Sequence, residues 1–330
     1  SGSGSSAGRA RVLGALLAFP QLAAAQSAYV MTDSNIGTAV AAWLSNSASA
    51  QATYGPISTW DTSGVTDMSY LFQDASSFNE DISGWVTSGV TRMDCMFMDA
   101  SAFNRDIGAW DTSGVTNMAG MFRSASSFNG DIGNWAVDSV TDMDWMFGQA
   151  SAFNRDIGGW AVDSVTSMYF MFGRASVFNQ DIGGWSVHSV TKMNEMFAWA
   201  DAFNQDLGDW AVHSVTSMYR MFINAYVFNG DISNWAVDSV RNMDSMFYGA
   251  SSFNRDIGDW AVDSVTTMHR MFWGASAFDQ DIGSWAVHNV KNMDSLFEGA
   301  SSFNEDIGDW AVDGVTILKE MFFGASAFNH

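Results

Sequence analysis

The sequence predicts an α/β solenoid of about eleven 25-residue coils behind an N-terminal helical cap. Each coil is expected to carry one short parallel strand and one short helix. Three observations lead there. Trp recurs at 60, 85, 110 and every 25 residues thereafter to 310, with no insertion or deletion. Phe recurs in step from 72 to 322, and a second Phe column runs from 78 to 328. Asp81 opens a further column that ends at Asp306 without exception. A repeat of this length marks stacked supersecondary units, none able to bury its apolar face alone.

The unit from Trp135 to Gly159 shows how each element is read. Val140, Met143, Met146, Phe147 and Ala150 are spaced 0, 3, 6, 7 and 10, which is one face of a short helix. Asp138 or Ser139 stands where an N-cap belongs. The segment Ile132-Gly-Asn-Trp135-Ala-Val137 has apolar residues at positions 1, 4 and 6, the spacing of a leucine-rich-repeat strand. Trp135 and Val137 face the same way because strand side chains alternate. The expected architecture is therefore leucine-rich-repeat-like, with a parallel sheet on one side and helices on the other. At about 5 Å per strand the rod is roughly 50 Å long.

The polar columns have structural readings. Asn79, Asn104, Asn129 and their successors are expected to form a ladder that bonds turn backbone inside the coil, and Asp279 keeps an acceptor in that column. Carboxylates stacked about 5 Å apart repel by about 3 kcal/mol at an effective dielectric near 20. The Asp81 column is thus expected to be solvated or bound to the N–H groups of the following Ile-Gly turn. Calcium is the alternative, but no D-x-D-x-D-G loop supports it. His188, His213 and His288 sit in a column otherwise held by Asp and read as exchangeable surface or capping residues. No metal and no cofactor is expected.

The division expected along the chain is 1–30, 31–59 and 60–330. Arg9 and Arg11 precede an apolar run from Val12 to Ala25, broken by Pro20 and ending in Ala23-Ala24-Ala25. That is a signal-peptide pattern, or the tail of a bipartite organelle presequence, or a docking segment. Its 14 residues are short for a bilayer span. Thr32-Asp33-Ser34-Asn35 supplies caps for a helix over about Ile36–Leu44, with Ala39, Ala42 and Trp43 against the first coil. The absent initiating Met reads as a fragment or processed form. Ala327-Phe328-Asn329-His330 stops in mid-repeat, which reads as truncation or as cover by another protein.

The unit W-D-T-S-G-V-T-D-M-S-Y-L-F-Q-D-A-S-S-F-N-E-D-I-S (Trp60–Ser83) resembles the BspA-like bacterial surface protein repeat, across roughly residues 54–330. Residues 39–60 also look like the lead-in of algal and protist members. The resemblance implies a leucine-rich-repeat-related solenoid, secretion or surface display, and binding roles without catalytic residues.

Composition narrows the function. The chain holds 36 acidic against 14 basic groups, a formal charge of −22, with 14% aromatics. A disordered acidic tail lacks such aromatics, and a pI near 4.2 argues against nucleic-acid binding. The lone Cys95 excludes an internal disulfide framework and a Cys-based zinc site. Enzyme motifs such as G-x-S-x-G, H-E-x-x-H and C-x-x-C are absent from the sequence. Copying explains most of the aromatics; what departs from it is Trp145, Tyr169, Phe170, Trp199, Tyr219, Ile223, Tyr248 and Trp273, with Arg174, Arg220 and Arg270 interleaved. Exposed aromatics with Arg are what interaction hot spots use, so these residues are the expected partner-binding stripe on the helical face. The expected function is a non-enzymatic scaffold, adhesion module or accessory subunit that binds protein partners. The alternatives are a polysaccharide or ice lattice read by the Thr66 to Thr216 column, and a luminal accessory subunit of a photosynthetic membrane complex. The expected location is secreted or at the cell surface, with a thylakoid lumen as the alternative.

Overall fold

Successive tight turns build the coils. The computed structural model describes residues 1–4 and 29–330, and among them the regular elements are confined to the lead-in and the start of the first coil. Strand β1 (Val30–Thr32) pairs in parallel with β2 (Asp61–Gly64), which opens the stack. Between them lie α1 (Ile36–Ser45), α2 (Ser47–Tyr54) and a 3-10 turn at Ile57–Thr59. Helix α1 buries Ile36, Ala39, Val40 and Trp43, and the Trp43 ring meets Trp60 edge-on at 5.9 Å. Ala42 is half-buried against the core. Helix α2 is invisible to periodicity because only Ala50 of its eight residues is buried. The leader-like run from Val12 to Ala25 lies outside the described residues.

The capping residues act differently from the expectation. Asn35 makes no side-chain bond to α1; its Oδ1 accepts from Thr32 N–H at 2.8 Å. Asp33 reaches the first coil, accepting from Thr66 N–H and Oγ1–H at 2.7 Å each and from Asp67 N–H at 3.1 Å. The Thr66 hydroxyl and amide hold its carboxyl below the usual range. Asp33→Ala is expected to lower the melting temperature by freeing the lead-in. Because the folded pKa is depressed, this stabilisation is complete above the unfolded aspartate value of about 3.9 and is lost as pH falls through the folded value. Melts of parent and variant should converge in that acid range, and a gap independent of pH sinks the assignment.

Both elements expected in each coil are replaced by turns. The helix expected over Val140–Ala150 is a run of three-residue closures: Met146 N–H donates to Met143 C=O, Gly148 to Trp145 and Ala150 to Phe147. Two residues of each such run, four apart, have positive φ, as with Trp145 at 60° and Gln149 at 63°. A left-handed residue cannot continue a right-handed helix. The strand expected over Ile132–Val137 is likewise turns, closed by Trp135 N–H to Ile132 C=O and Val140 N–H to Val137 C=O. Parallel pairing occurs on the other side, where single bridges join Asp67 to Arg92, Arg92 to Asn117 and onward to Ile317. The ladder skips once, between Lys192 and Ser217.

Bonds between coils explain the columns. On the ladder side, the amides of Met68, Tyr70, Phe72 and Asp74 donate to the carbonyls of Arg92, Asp94, Met96 and Met98. The intervening Leu71 and Gln73 amides close turns within the coil, so the backbone of this segment is satisfied by alternation. On the other side the indoles replace backbone pairing. Trp185 Nε1–H donates to Ile157 C=O at 3.1 Å, and Trp110 through Trp310 repeat the bond to the preceding coil. The Asn column bonds between coils, Asn104 N–H donating to Asn79 Oδ1 at 3.0 Å, and Asp279 keeps its acceptor for Asn304 N–H. Asp106 Oδ1 accepts from Gly108 N–H at 3.0 Å, as most of its column does from the residue two ahead. Asp206 instead accepts from Asp231 N–H of the next coil.

The core is these stacks. Phe147 lies 3.9 Å from Phe153 within its coil and 5.7 Å from Phe122 and Phe172 on either side. Trp, Phe, Met, Ile and Val of successive coils form one continuous buried cluster, so each coil is stabilised mainly by its two neighbours.

Candidate functional site

Each turn run sends its Met and Phe inward and leaves four other side chains outward: two after the first Met and two after Met-Phe. Those outward positions include the pair with positive φ. In three coils the pair is Gly and Ser (Gly120 with Ser124, Ser245 with Gly249, Ser295 with Gly299), and Asp74, Asp99, Asn224, Gly274 and Gly324 hold one place in others; Gly, Asn and Asp tolerate the left-handed region best. In the middle coils the pair holds Trp145 (60°), Phe170 (53°), Arg174 (60°), Trp199 (53°), Arg220 (54°) and Arg270 (55°). Each such bulky residue costs roughly 1–2 kcal/mol of backbone strain. Six of the eleven residues that composition singled out carry this strain, as do Tyr70, Cys95, Gln149, Glu195 and Glu320 outside that set.

The face is built by contacts across coils. Phe170 stacks on Trp145 at 3.9 Å, and Tyr169 meets Trp145 edge-on at 5.7 Å. Phe170, Ala198 and Ile223 form a second buried cluster, with Trp145, Tyr169, Trp199 and Tyr248 half-buried around it. Gly173 makes room for the Phe170 ring: a Cβ there would lie 2.3 Å from it. The stripe therefore lies on a face of turns, and two of its members need correcting. Phe170 is 4% and Ile223 6% exposed, so they support the rings above them. Trp145, Tyr169, Trp199, Tyr219, Tyr248 and Trp273 remain half-buried, while Arg174 and Arg270 are exposed. Tyr248 and Trp273 stack at 4.3 Å, which joins Trp273 to the edge of the Trp145 cluster through Tyr248.

Three guanidinium groups lie on these rings. Arg123 sits 4.5 Å over Trp145, Arg174 4.6 Å over Trp199 and Arg220 4.8 Å over Tyr219. Such contacts contribute about 0.5–2 kcal/mol. Arg123 was not among the residues singled out by sequence. It shares the column of Ile223, Tyr248 and Trp273, and reading down that column finds it. The Nε atoms of Arg123 and Arg220 are buried without a hydrogen-bond partner.

Acidic groups on the same face are engaged or desolvated. Asp144 accepts from Ser167 Oγ–H and from Tyr169 N–H at 2.7 Å, yet burial leaves its carboxyl above the usual value. Asp244 accepts in the same way from Thr267 Oγ1–H and His269 N–H. Burial also raises Glu195, with Arg220 opposing the shift. Burial and then the Glu195 charge raise the Tyr169 phenol. Behind Trp199 the surface opens into a groove of about 450 Å³ lined by Tyr219, Arg220, Ile223, Tyr248 and Arg270 among others. No group of three or more metal-ligating side chains exists among the described residues, and His188 faces Ser186 Oγ at 2.9 Å. Among the described residues no helix is long and apolar enough to cross a membrane.

The Thr column is committed within the fold. The Oγ1–H groups of Thr91, Thr116, Thr141 and Thr166 donate to the Thr carbonyl one coil earlier.

Comparisons with known proteins bear on this repeat. The family described as "Mycoplasma protein of unknown function, DUF285" matches residues 42–160, 143–258 and 227–330. No curated protein matches. Among solved structures, one titled "Crystal structure of TLR13-ssRNA13 complex" is 9% identical with a TM-score of 0.28. It covers 82% of this chain, which spans about half (49%) of that one. At that score the likeness transfers neither fold detail nor function.

Proposed function

The chain belongs to the DUF285 repeat family, and from that premise we propose that it is a non-enzymatic scaffold that binds protein partners through the aromatic and arginine face of its middle coils. The observation that carries this reading is a strained and mutually packed face: Trp145, Phe170, Arg174, Trp199, Arg220 and Arg270 stand at left-handed positions, and rings and guanidinium groups of these coils pack on one another. Backbone strain of this kind persists where a site uses the side chains it presents. Rings held half-buried by a second small core are pre-ordered, which lowers the entropy lost on binding. The kinship to BspA-like surface proteins rests on the repeat pattern, and the place outside the cytosol on the leader-like run; both belong to this proposal. The lattice alternative is weaker because the Thr donors named above are already spent.

The triple variant Trp145→Ala, Trp199→Ala, Trp273→Ala tests the face. Cross-linking of the full chain in its native extract is expected to map contacts onto the coils from Trp145 to Trp273. In the folded variant, binding of the cross-linked partner should fall by about tenfold or more, as for loss of hot-spot aromatics. Contacts that map to the Trp-column side, or a folded variant that binds as the parent does, overturn the reading.

A further inference from the structure

We propose that the groove behind Trp199 is the specificity site of this face, and that it takes an acidic segment of a partner protein with an apolar or aromatic residue beside its carboxylates. The inference rests on the face reading above and adds the chemistry of the partner.

The charge pattern carries it. The chain has a formal charge of −22 with 14 basic groups in all, yet Arg220 and Arg270 line one groove. Ion pairs within 4.0 Å among the described residues involve Arg92 and His269, and neither of these two arginines. The acids near the groove are taken. Asp244, which itself lines the groove, is engaged by Thr267 and His269, and Asp294 faces His269 Nε2 at 3.5 Å. Glu195 also feels Arg220 but makes no ion pair with it, and burial raises its pKa against the pull of that arginine.

Arg220 itself is held incomplete. Its guanidinium lies over the Tyr219 ring at 4.8 Å, and its Nε is covered with no partner. An unpaired buried donor is costly, and a carboxylate on the outer guanidinium nitrogens offsets that cost through a charge-assisted contact. Beside it, Trp199, Ile223 and Tyr248 form an apolar wall. A groove of about 450 Å³ accepts a few side chains, the size of a short peptide segment. Positive groups in an otherwise acidic protein select against most of its own surface and for an anionic partner.

The test is fluorescence anisotropy on the full chain, with labelled peptides of alternating Asp and Tyr, Ser and Tyr, or Lys and Tyr. The acidic peptide is expected to bind, and the neutral and basic ones at least about tenfold more weakly. Added salt should weaken the acidic peptide. The variant Arg220→Met with Arg270→Met keeps the stems packed and removes the charge; it should lose about tenfold or more of the acidic peptide's affinity. Absence of acidic-peptide binding, equal binding of neutral peptide, or an unaffected Arg variant overturns the proposal. So does equal binding of an oligogalacturonate, which would assign the groove to polysaccharide, or binding that tracks self-association in sedimentation. If the triple Trp variant loses its partner while the Arg variant keeps it, the face stands and the acidic selectivity falls. If both keep it, both readings fall.

Discussion

Trp185→Ala is expected to remove about 3–5 kcal/mol of stability, the range for truncating a buried aromatic. Trp185 is 2% exposed and stacks 6.4 Å from both Trp160 and Trp210. Its indole N–H also serves Ile157 C=O at 3.1 Å. Two terms can be separated by a second variant. Trp185→Phe keeps a ring but strands the Ile157 carbonyl, for about 1–3 kcal/mol. The damage should stay local, since coils touch only their neighbours. Hydrogen exchange should quicken in the coils around Trp160, Trp185 and Trp210 and remain slow near Trp285. Uniform quickening along the rod would show that coils couple over a longer range than their contacts imply.

Ser124→Val is expected to be the next most damaging change, at about 2 kcal/mol. Ser124 has φ 57°, and its amide donates to Gly148 C=O at 2.8 Å, so the conformation is fixed by the ladder. A β-branched residue fits the left-handed region worst. Ser124→Gly relieves the same strain but loosens the unfolded chain, so it should be near neutral. Urea unfolding of the two variants separates backbone strain from packing, because Ser124 is only half-buried. Equal losses for Val and Gly would mean that the hydroxyl, not the backbone, matters.

Much of the molecule was legible because a column repeats its reason. The period, the Trp and Phe stacks, the Asn ladder and the Asp turns follow from what each residue type can bond or bury. The secondary structure was not legible. Val140, Met143, Met146 and Ala150 are spaced near three, and a train of tight turns buries residues at that spacing as well as a helix does. What decides between them is the left-handed pair at Trp145 and Gln149, which side-chain type hides. The candidate face was half legible. Its residues stood out as departures from copying, but the burial of Phe170 depends on the missing side chain of Gly173. Arg123 lies over Trp145 of the next coil, one coil before the run of aromatic departures begins, and so escaped notice.

The alternation of amides on the ladder side has an electrical consequence. In a flat strand, successive N–H groups point to opposite sides and the peptide dipoles largely cancel. Here Met68, Tyr70, Phe72 and Asp74 all send N–H toward the following coil, and the accepting carbonyls of Arg92, Asp94, Met96 and Met98 point back. The Thr-column amides, such as Thr91 N–H to Thr66 C=O, point the other way, but four against one leaves each coil a net peptide dipole of the same sense, as successive turns of a helix do. The sense is reversed relative to an α-helix, with the positive pole toward the later coils. The rod therefore has a built-in polarity along its axis that surface substitutions leave untouched, since main-chain atoms supply it.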